Sequence, residues 1–521
     1  MAGNVYGVAT ASEEYYGKPV SELEIHEAAL FAGMAKAPNR FSPYVNPDLA
    51  KERRDTVISV MHDVGHITAE EAEQAYNTPI DEGLIEQTPD NGIAMVIDSY
   101  VHRALEEVED KTDFEAASSG LTIYTNIDMD AQQRVFDVLN SEDYVDYIND
   151  DVEAAVSLIE AETGQIRALG GGRNTEVLRG QNRATQVKQT GSTIKPLSTY
   201  GPAIEYLEYS TYHQVVDEEY TVSGSNWTPR NYDRQFRGQI SMREALVDSR
   251  NVPTAKIFNE DLEMNQVEEF MTNLGIPIEE MSQEGELVPS NAINGDMTPL
   301  QLAASYASFA NGGNYTDPYA VSRIVTHDGQ EIDLTPETNQ AMSDYTAYMV
   351  TDMLKDVASN YESTVGLGGI PQAGKTGTTN FSEDQLSELG YPSSAVPSSW
   401  YSGYTSNYSL AVWTGFDRAQ DGYLTFDDGT RLLPRHIYRE IMQYVSQDVE
   451  NSDWEMPSSV TEVTVEDGTD PAQLPGPNTP QSARVTELFV QGTEPSERSL
   501  SYGEELTAPT GLSAEYDEEN D

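Results

Sequence analysis

The chain contains no cysteine. Disulfides, thiolate-bound metals and cysteine nucleophiles are therefore excluded, while the redox compartment stays open. Positive charge is the next scarcity: 30 lysines and arginines stand against 88 aspartates and glutamates, a formal net charge of −58. A surface so acidic cannot offset phosphate repulsion, which excludes nucleic acid as a partner. The carboxylates are spread along the chain rather than gathered in a tail, and such a surface suits high salt, where screening removes self-repulsion. An ordinary acidic exported protein is the competing reading. No run of about 18 apolar residues occurs, and the first residues lack a basic flank and apolar core, so neither a membrane anchor nor a signal peptide is read. Seven histidines form no complete metal-binding motif, and Asp128 with Asp130 reads as a solvated turn, so no metal and no other cofactor is expected.

What is present is enough for a large core. Hydrophobic residues make 38% of 521, 30 tyrosines add apolar area, and the length leaves room for two or three domains.

The chemistry gathers at Ser192, Thr193, Ile194 and Lys195, followed by Pro196. On a helix, the three-residue step places the Ser192 hydroxyl and Lys195 amine on one face, within hydrogen-bonding reach. A serine beside an amine is a nucleophile with its base, provided that burial or a second cation keeps the amine neutral. A helix start also aims backbone N–H groups at a reacting carbonyl, so the Ser192 N–H can supply half of an oxyanion hole. Further along stand Ser249, Arg250 and Asn251, then Lys375, Thr376, Gly377 and Thr378. Ser249 can relay a proton between Lys195 and a leaving amine, and Asn251 can orient Lys195 and a substrate amide. Residues 375–378 read as a strand on which an extended peptide can lie. Thr376 and Thr378 hold its terminal carboxylate, Gly377 gives backbone room, and Lys375 adds charge that helps to keep Lys195 neutral. Lys-Thr-Gly-Thr is the discriminating run, expected by chance on the order of 0.01 times in a chain with so few lysines.

Together the three motifs resemble those of the penicillin-interacting serine acyltransferases. Over about residues 3–450 the chain resembles the class A penicillin-binding proteins, with Pro229, Asn231, Tyr232, Asp233, Arg243 and Glu244 adding to the likeness around the second motif. The resemblance implies an α+β fold, an antiparallel sheet with helices on both faces as in penicillin-binding transpeptidases and serine β-lactamases, preceded by a partial all-α glycosyltransferase segment. It implies the Thr378 N–H as the second oxyanion donor. It implies peptidoglycan D,D-transpeptidation through a serine acyl-enzyme, inhibited by β-lactams. Implied partners are peptidoglycan stem peptides, β-lactams and proteins of cell-wall synthesis and division, with the catalytic parts outside the cell membrane and the anchor outside this chain. A serine β-lactamase and a penicillin sensor stay open as alternatives.

Gly17 to Met61, with Arg53, Val57, Ile58 and Met61, resembles the last part of the family 51 peptidoglycan glycosyltransferases. That family's catalytic glutamates belong to upstream motifs, so a remnant without glycosyl transfer is expected, and the chain is read as truncated at both ends. The expected layout is a glycosyltransferase remnant over 1–78, a connector over 79–150, a transpeptidase domain over 151–447 and an acidic, proline-containing linker over 448–521. Within it, Ser21 and Glu24 read as a helix cap, and the hairpin of 156–169 as the sheet edge carrying the Ser192 helix. Residues 508–514 resemble the first strand of a fibronectin type III module, which alone cannot bury a core, so this end is expected to be disordered.

Overall fold

The computed structural model describes residues 8–37, 40–44, 46–85, 91–147, 151–174, 178, 180–281 and 285–503. It divides into two compact units, one of 1–136, 174–182 and 319–335, the other of the remainder.

In the first unit, helices Val8–Tyr16, Ile25–Met34, Pro47–Asp63 and Ala69–Asn77 enclose small cores around Tyr15, Leu30, Phe31 and Met34, and around Ala29, Ile58 and Ala72. Pro47 starts its helix where a missing N–H costs nothing. The cap of the second helix lies three residues later than the Ser21 and Glu24 pattern suggests. Residues Val20–Glu22 form a separate 3₁₀ turn, and the Glu24 N–H donates to Glu27 Oε2 at 2.7 Å. Arg54 is buried and donates to the Thr78 carbonyl at 2.8 Å. The unit also holds helix Asn91–Lys111 and a sheet in which Thr122–Thr125 and Glu331–Asp333 flank Val321–Val325. The expected connector thus contributes a long helix and a strand to this unit, because its strand pairs with residues some 200 positions away, a partner that local pattern cannot show.

The second unit is built on a five-stranded antiparallel sheet: β1 Glu153–Glu160, β2 Ile166–Gly170, β3 Ala373–Thr378, β4 Ser398–Tyr404 and β5 Tyr408–Gly415, in the order β3-β4-β5-β1-β2. The apolar runs of β1 and β5 are buried end to end, as strands covered on both faces require. Side chains alternate between those faces. Tyr404 and Ser409 meet helix Pro299–Ala310, where the Ser409 hydroxyl donates to the Ala303 carbonyl at 2.7 Å; Tyr401 points the other way, against Tyr438 of helix Leu433–Val445. Thr298 caps Pro299–Ala310 by accepting the Gln301 N–H at 3.0 Å. The β1–β2 hairpin forms as expected but at the far edge. The Ser192 segment packs on β3 at the opposite edge, where Gly191 and Gly377 let the two backbones approach.

Residues 457–503 are ordered rather than a linker. Strands Val460–Glu466 and Arg484–Val490 pair antiparallel, with Val465 and Phe489 packed on Tyr212. The acidic composition hides this because Glu487 is buried and paired with Arg243 at 2.8 Å, and Glu466 accepts from Ser499 and Thr479. The stretch resembling a fibronectin strand lies outside the described residues.

Candidate active site

The first motif occupies one continuous helical segment of changing pitch: a 3₁₀ turn at Gly191–Ile194, a wide π turn at Pro196–Tyr200, then an α-helix at Gly201–Leu207. Pro196 and Pro202 have no N–H to give, which suits a segment that changes ladder. Its start is pinned from three sides. The Gly191 N–H donates to Asn294 Oδ1 at 2.8 Å, the Thr190 N–H to the Gly295 carbonyl at 2.8 Å, and the Tyr306 hydroxyl to the Thr193 carbonyl at 2.6 Å.

Two glycines let this segment lie on β3. Gly191 has φ +54°, and a Cβ there would stand 2.4 Å from Thr378 O and 2.8 Å from Thr378 N. At Gly377 a Cβ would stand 2.4 Å from Thr190 O and 2.9 Å from the Thr193 methyl. Sequence reasoning assigns the room at Gly377 to a ligand; it is filled by the Ser192 segment itself. Consequently the backbones of Ser192 and Thr378 are neighbours.

The second motif follows the short helix Met242–Val247, and Asn251 opens the next. Ser249 sits at φ +52°, an uncommon conformation for a non-glycine residue. A buried polar network holds it there. Arg250, fully buried, pairs with Asp217 at 2.9 Å and Asp233 at 2.7 Å, while Asn231 donates to Asp217 at 2.7 Å and accepts the Asn251 N–H at 2.9 Å. Asp217 is invisible to motif reading, since its partner is 33 residues distant; the nearest signal was an arginine between Ser249 and Asn251 in a chain short of cations.

Both lysines are fully buried behind the Ser249 hydroxyl. Lys195 Nζ donates to Ser249 O at 2.7 Å, Asn251 Oδ1 at 2.7 Å and Arg250 O at 3.1 Å, and lies 3.4 Å from Ser249 Oγ. Lys375 Nζ donates to the same Ser249 Oγ at 2.8 Å and to Thr376 O at 3.2 Å. Burial, then the Lys375 ammonium, then Arg250 push the Lys195 pKa well below the usual lysine value. Burial and, after it, Arg435 push Lys375 down to about 7. The direct bond expected between Ser192 and Lys195 is not among the hydrogen bonds of the described residues. The acceptors of the second motif draw the amine away, and such contacts often tighten only when substrate is bound.

Ser192, Ser249, Asn251, Thr376, Gly377 and Thr378 line one cavity of about 280 Å³. Lys195 and Lys375 lie behind it. Among the described residues its lining has one acid, Asp248, which pairs with Arg237. Sequence reasoning missed two arginines in the wall, Arg431 and Arg435, which belong to no motif. The site can therefore present a hydroxyl to an acyl group beside an amine of lowered basicity.

The family description "Penicillin binding protein transpeptidase domain" matches residues 154–443, "Transglycosylase" matches 1–62, and "Penicillin-binding protein 1A, C-terminal domain" matches 456–504. The chain belongs to the class A penicillin-binding proteins. It is 38% identical over 526 residues to penicillin-binding protein 1A/1B of Bacillus subtilis, covering 99% of this chain and 57% of that one. To penicillin-binding protein 1A of Streptococcus oralis it is 36% identical over 470 residues, 88% of this chain and 72% of that one. The chain thus spans less than two thirds of the Bacillus relative. Penicillin-binding protein 1A from Haemophilus influenzae shares the fold at TM-score 0.67 and 19% identity, over 95% of this chain and 89% of that one. The penicillin-binding protein PonA1 from Mycobacterium tuberculosis in complex with penicillin V does so at TM-score 0.59 and 23% identity, over 69% and 95%. As in the expected fold class, this penicillin-binding protein combines an antiparallel sheet with helices and a helical N-terminal region.

Proposed function

We propose that the chain is a peptidoglycan D,D-transpeptidase that works through an acyl-enzyme on Ser192. The observation that carries this reading is the convergence of Ser192, Ser249, Asn251 and β3 on one cavity with a buried lysine of depressed basicity behind it. Ser192 Oγ attacks the carbonyl of the penultimate D-alanine of a stem peptide, and its proton passes to neutral Lys195. The oxyanion is held by the N–H groups of Ser192 and Thr378. The C–N bond breaks, the leaving D-alanine nitrogen takes the proton from Lys195 through the Ser249 hydroxyl, and an ester remains on Ser192. An amine of a neighbouring stem then attacks the ester, returning a proton to Ser192 as the cross-link forms. A β-lactam enters by the same first step, its amide bond opening onto Ser192.

Among the described residues the cavity's one acid is tied to Arg237 and gives no ready base for activating water, which favours transfer to an amine over fast hydrolysis. For 1–78 we read no glycosyl transfer. Its Glu27 is tied to Lys18 at 2.8 Å and to the Glu24 N–H. Among the described residues no helix is long and apolar enough to cross a membrane; the extracytoplasmic membrane face is the setting this substrate requires. The test is cross-linking of a stem peptide by the purified chain. Release of D-alanine with transfer to an added amine supports the reading, and exclusive hydrolysis contradicts it. Incubation with lipid-linked disaccharide checks the second statement, which polymer formation would refute.

A further inference from the structure

Ser249 is held in its left-handed conformation from two sides, and each side has an arginine tied to carboxylates. Arg250 and its aspartates hold the chain after it. Before it stands helix Met242–Val247, where the Ser249 N–H donates to Leu246 O at 3.0 Å and the Arg250 N–H to Ala245 O at 2.8 Å. A helix of 6 residues does not fix its own place, so its orientation comes from tertiary ties. Arg243 supplies them. Its Nε donates to Glu487 Oε2 at 2.8 Å, its Nη2 to Asp352 Oδ2 at 2.6 Å and its Nη1 to Asp356 Oδ2 at 2.7 Å. The two aspartates are a turn apart on helix Asp344–Asn360, whose last residue lines the cavity. Glu487 belongs to the hairpin of Val460–Glu466 and Arg484–Val490.

The three contacts are unequal. Asp356 is half exposed, and a pair there is worth little. Glu487 is buried beside a guanidinium that is itself mostly buried, so breaking this arm leaves a charge without its partner. Further bonds stiffen the joint: the Arg243 N–H donates to Thr211 O at 3.0 Å, the Thr211 N–H to Leu488 O at 3.0 Å, and the Thr211 hydroxyl to Glu487 Oε2 at 2.5 Å. We infer that the hairpin is part of the acyl-transfer site: Glu487, acting through Arg243, is a positioning residue that fixes helix Met242–Val247 and so places the Ser249 hydroxyl. A backbone in a sparsely populated conformation persists only where its surroundings over-determine it, and the hairpin supplies that constraint on the N-terminal side of Ser249. The inference rests on the acyl-transfer reading and names what holds its proton relay in place.

The test measures acylation by a penicillin, separating the non-covalent binding constant from the acylation rate constant, in the full chain and in E487A, E487Q, R243K, V465A and S249A, below the melting temperature of each. Tyr212 keeps the hairpin docked in E487A through its packing with Val465 and Phe489 and through its hydroxyl, which donates to Glu466 O at 2.9 Å. E487A should lower the rate constant by about threefold to thirtyfold, the span for a residue that couples two elements, with the binding constant little changed. R243K keeps the cation but not the fork, so it should show the same loss and carries the test if E487A does not fold. E487Q, which keeps an oxygen for Arg243, should stay near the unmodified rate. V465A loosens the same hairpin without touching Arg243, and should melt lower while acylating at the unmodified rate. In S249A there is no hydroxyl to place, so adding E487A should cost little more. The inference is overturned if E487A and R243K acylate at the unmodified rate, if their loss falls on binding, if V465A loses as much, or if the losses of E487A and S249A multiply. Failure of the acyl-transfer reading looks different: the unmodified chain then forms no covalent adduct.

Discussion

A lysine amine accepts a proton only when it does not already hold one, and the surroundings of Lys195 are arranged against the charged form. Burial removes its hydration, while Lys375 and Arg250 add like charge. Replacing Lys195 by alanine should slow acylation by penicillin by roughly 10² to 10⁴, the usual worth of a positioned base, with the circular dichroism unchanged. Acylation at the original rate would show that another group is the base. Lys375 allows a test of the electrostatics. With Lys195 as the proposed base, acylation needs its neutral form, so the rate should rise with pH through the Lys195 pKa, which the Lys375 charge lowers. Lys375→Met removes that charge but keeps the site apolar, so the Lys195 pKa rises and the acid limb of the pH profile should move to higher pH. A limb that stays in place would remove Lys375 from the account.

At the scale of elements, the seating of the Ser192 segment on β3 depends on glycine. Gly377→Ala puts a methyl 2.4 Å from a backbone oxygen, so the segment must lift from the strand. The expected cost is about 1 to 3 kcal/mol, as for overpacking, with a disproportionate loss of acylation because the Ser192 and Thr378 N–H groups part. Unchanged denaturation and acylation would contradict that seating. Arg250→Met should cost about 3 to 5 kcal/mol, since Asp217 stays buried without its cation. These elements also mark how far the sequence could be read. Ser192 to Lys195 and Lys375 to Thr378 were legible because their chemistry needs fixed residue types at short spacing, and helix Pro299–Ala310 because its cap is local. The φ of +52° at Ser249, the Asp217 partner of Arg250 and the edge chosen by the Ser192 segment were not, because each is decided by residues distant in sequence. The hairpin of Val460–Glu466 and Arg484–Val490 was lost for another reason: its buried glutamates look like solvated ones until Arg243, Thr479 and Ser499 are seen beside them.

For the whole molecule the governing quantity is the charge of −58 on 57.5 kDa. At low ionic strength, with a Debye length near 30 Å, each carboxylate feels many others, and at about 1 M salt the range falls to roughly 3 Å. The melting temperature should therefore rise with potassium chloride, and a continued rise beyond about 1 M would point to specific hydration or cation binding by carboxylates and to a high-salt setting. A melting temperature flat between about 0.2 and about 3 M would contradict that setting while leaving the chemistry untouched. The chemistry itself is tested by counting and placing the acyl group on the entire chain. Incubation with a labelled penicillin, followed by intact mass and peptide mapping, should give one adduct per chain, on the peptide carrying Ser192, and none in Ser192→Ala. A label on any other residue, or an undiminished label in Ser192→Ala, would contradict the account.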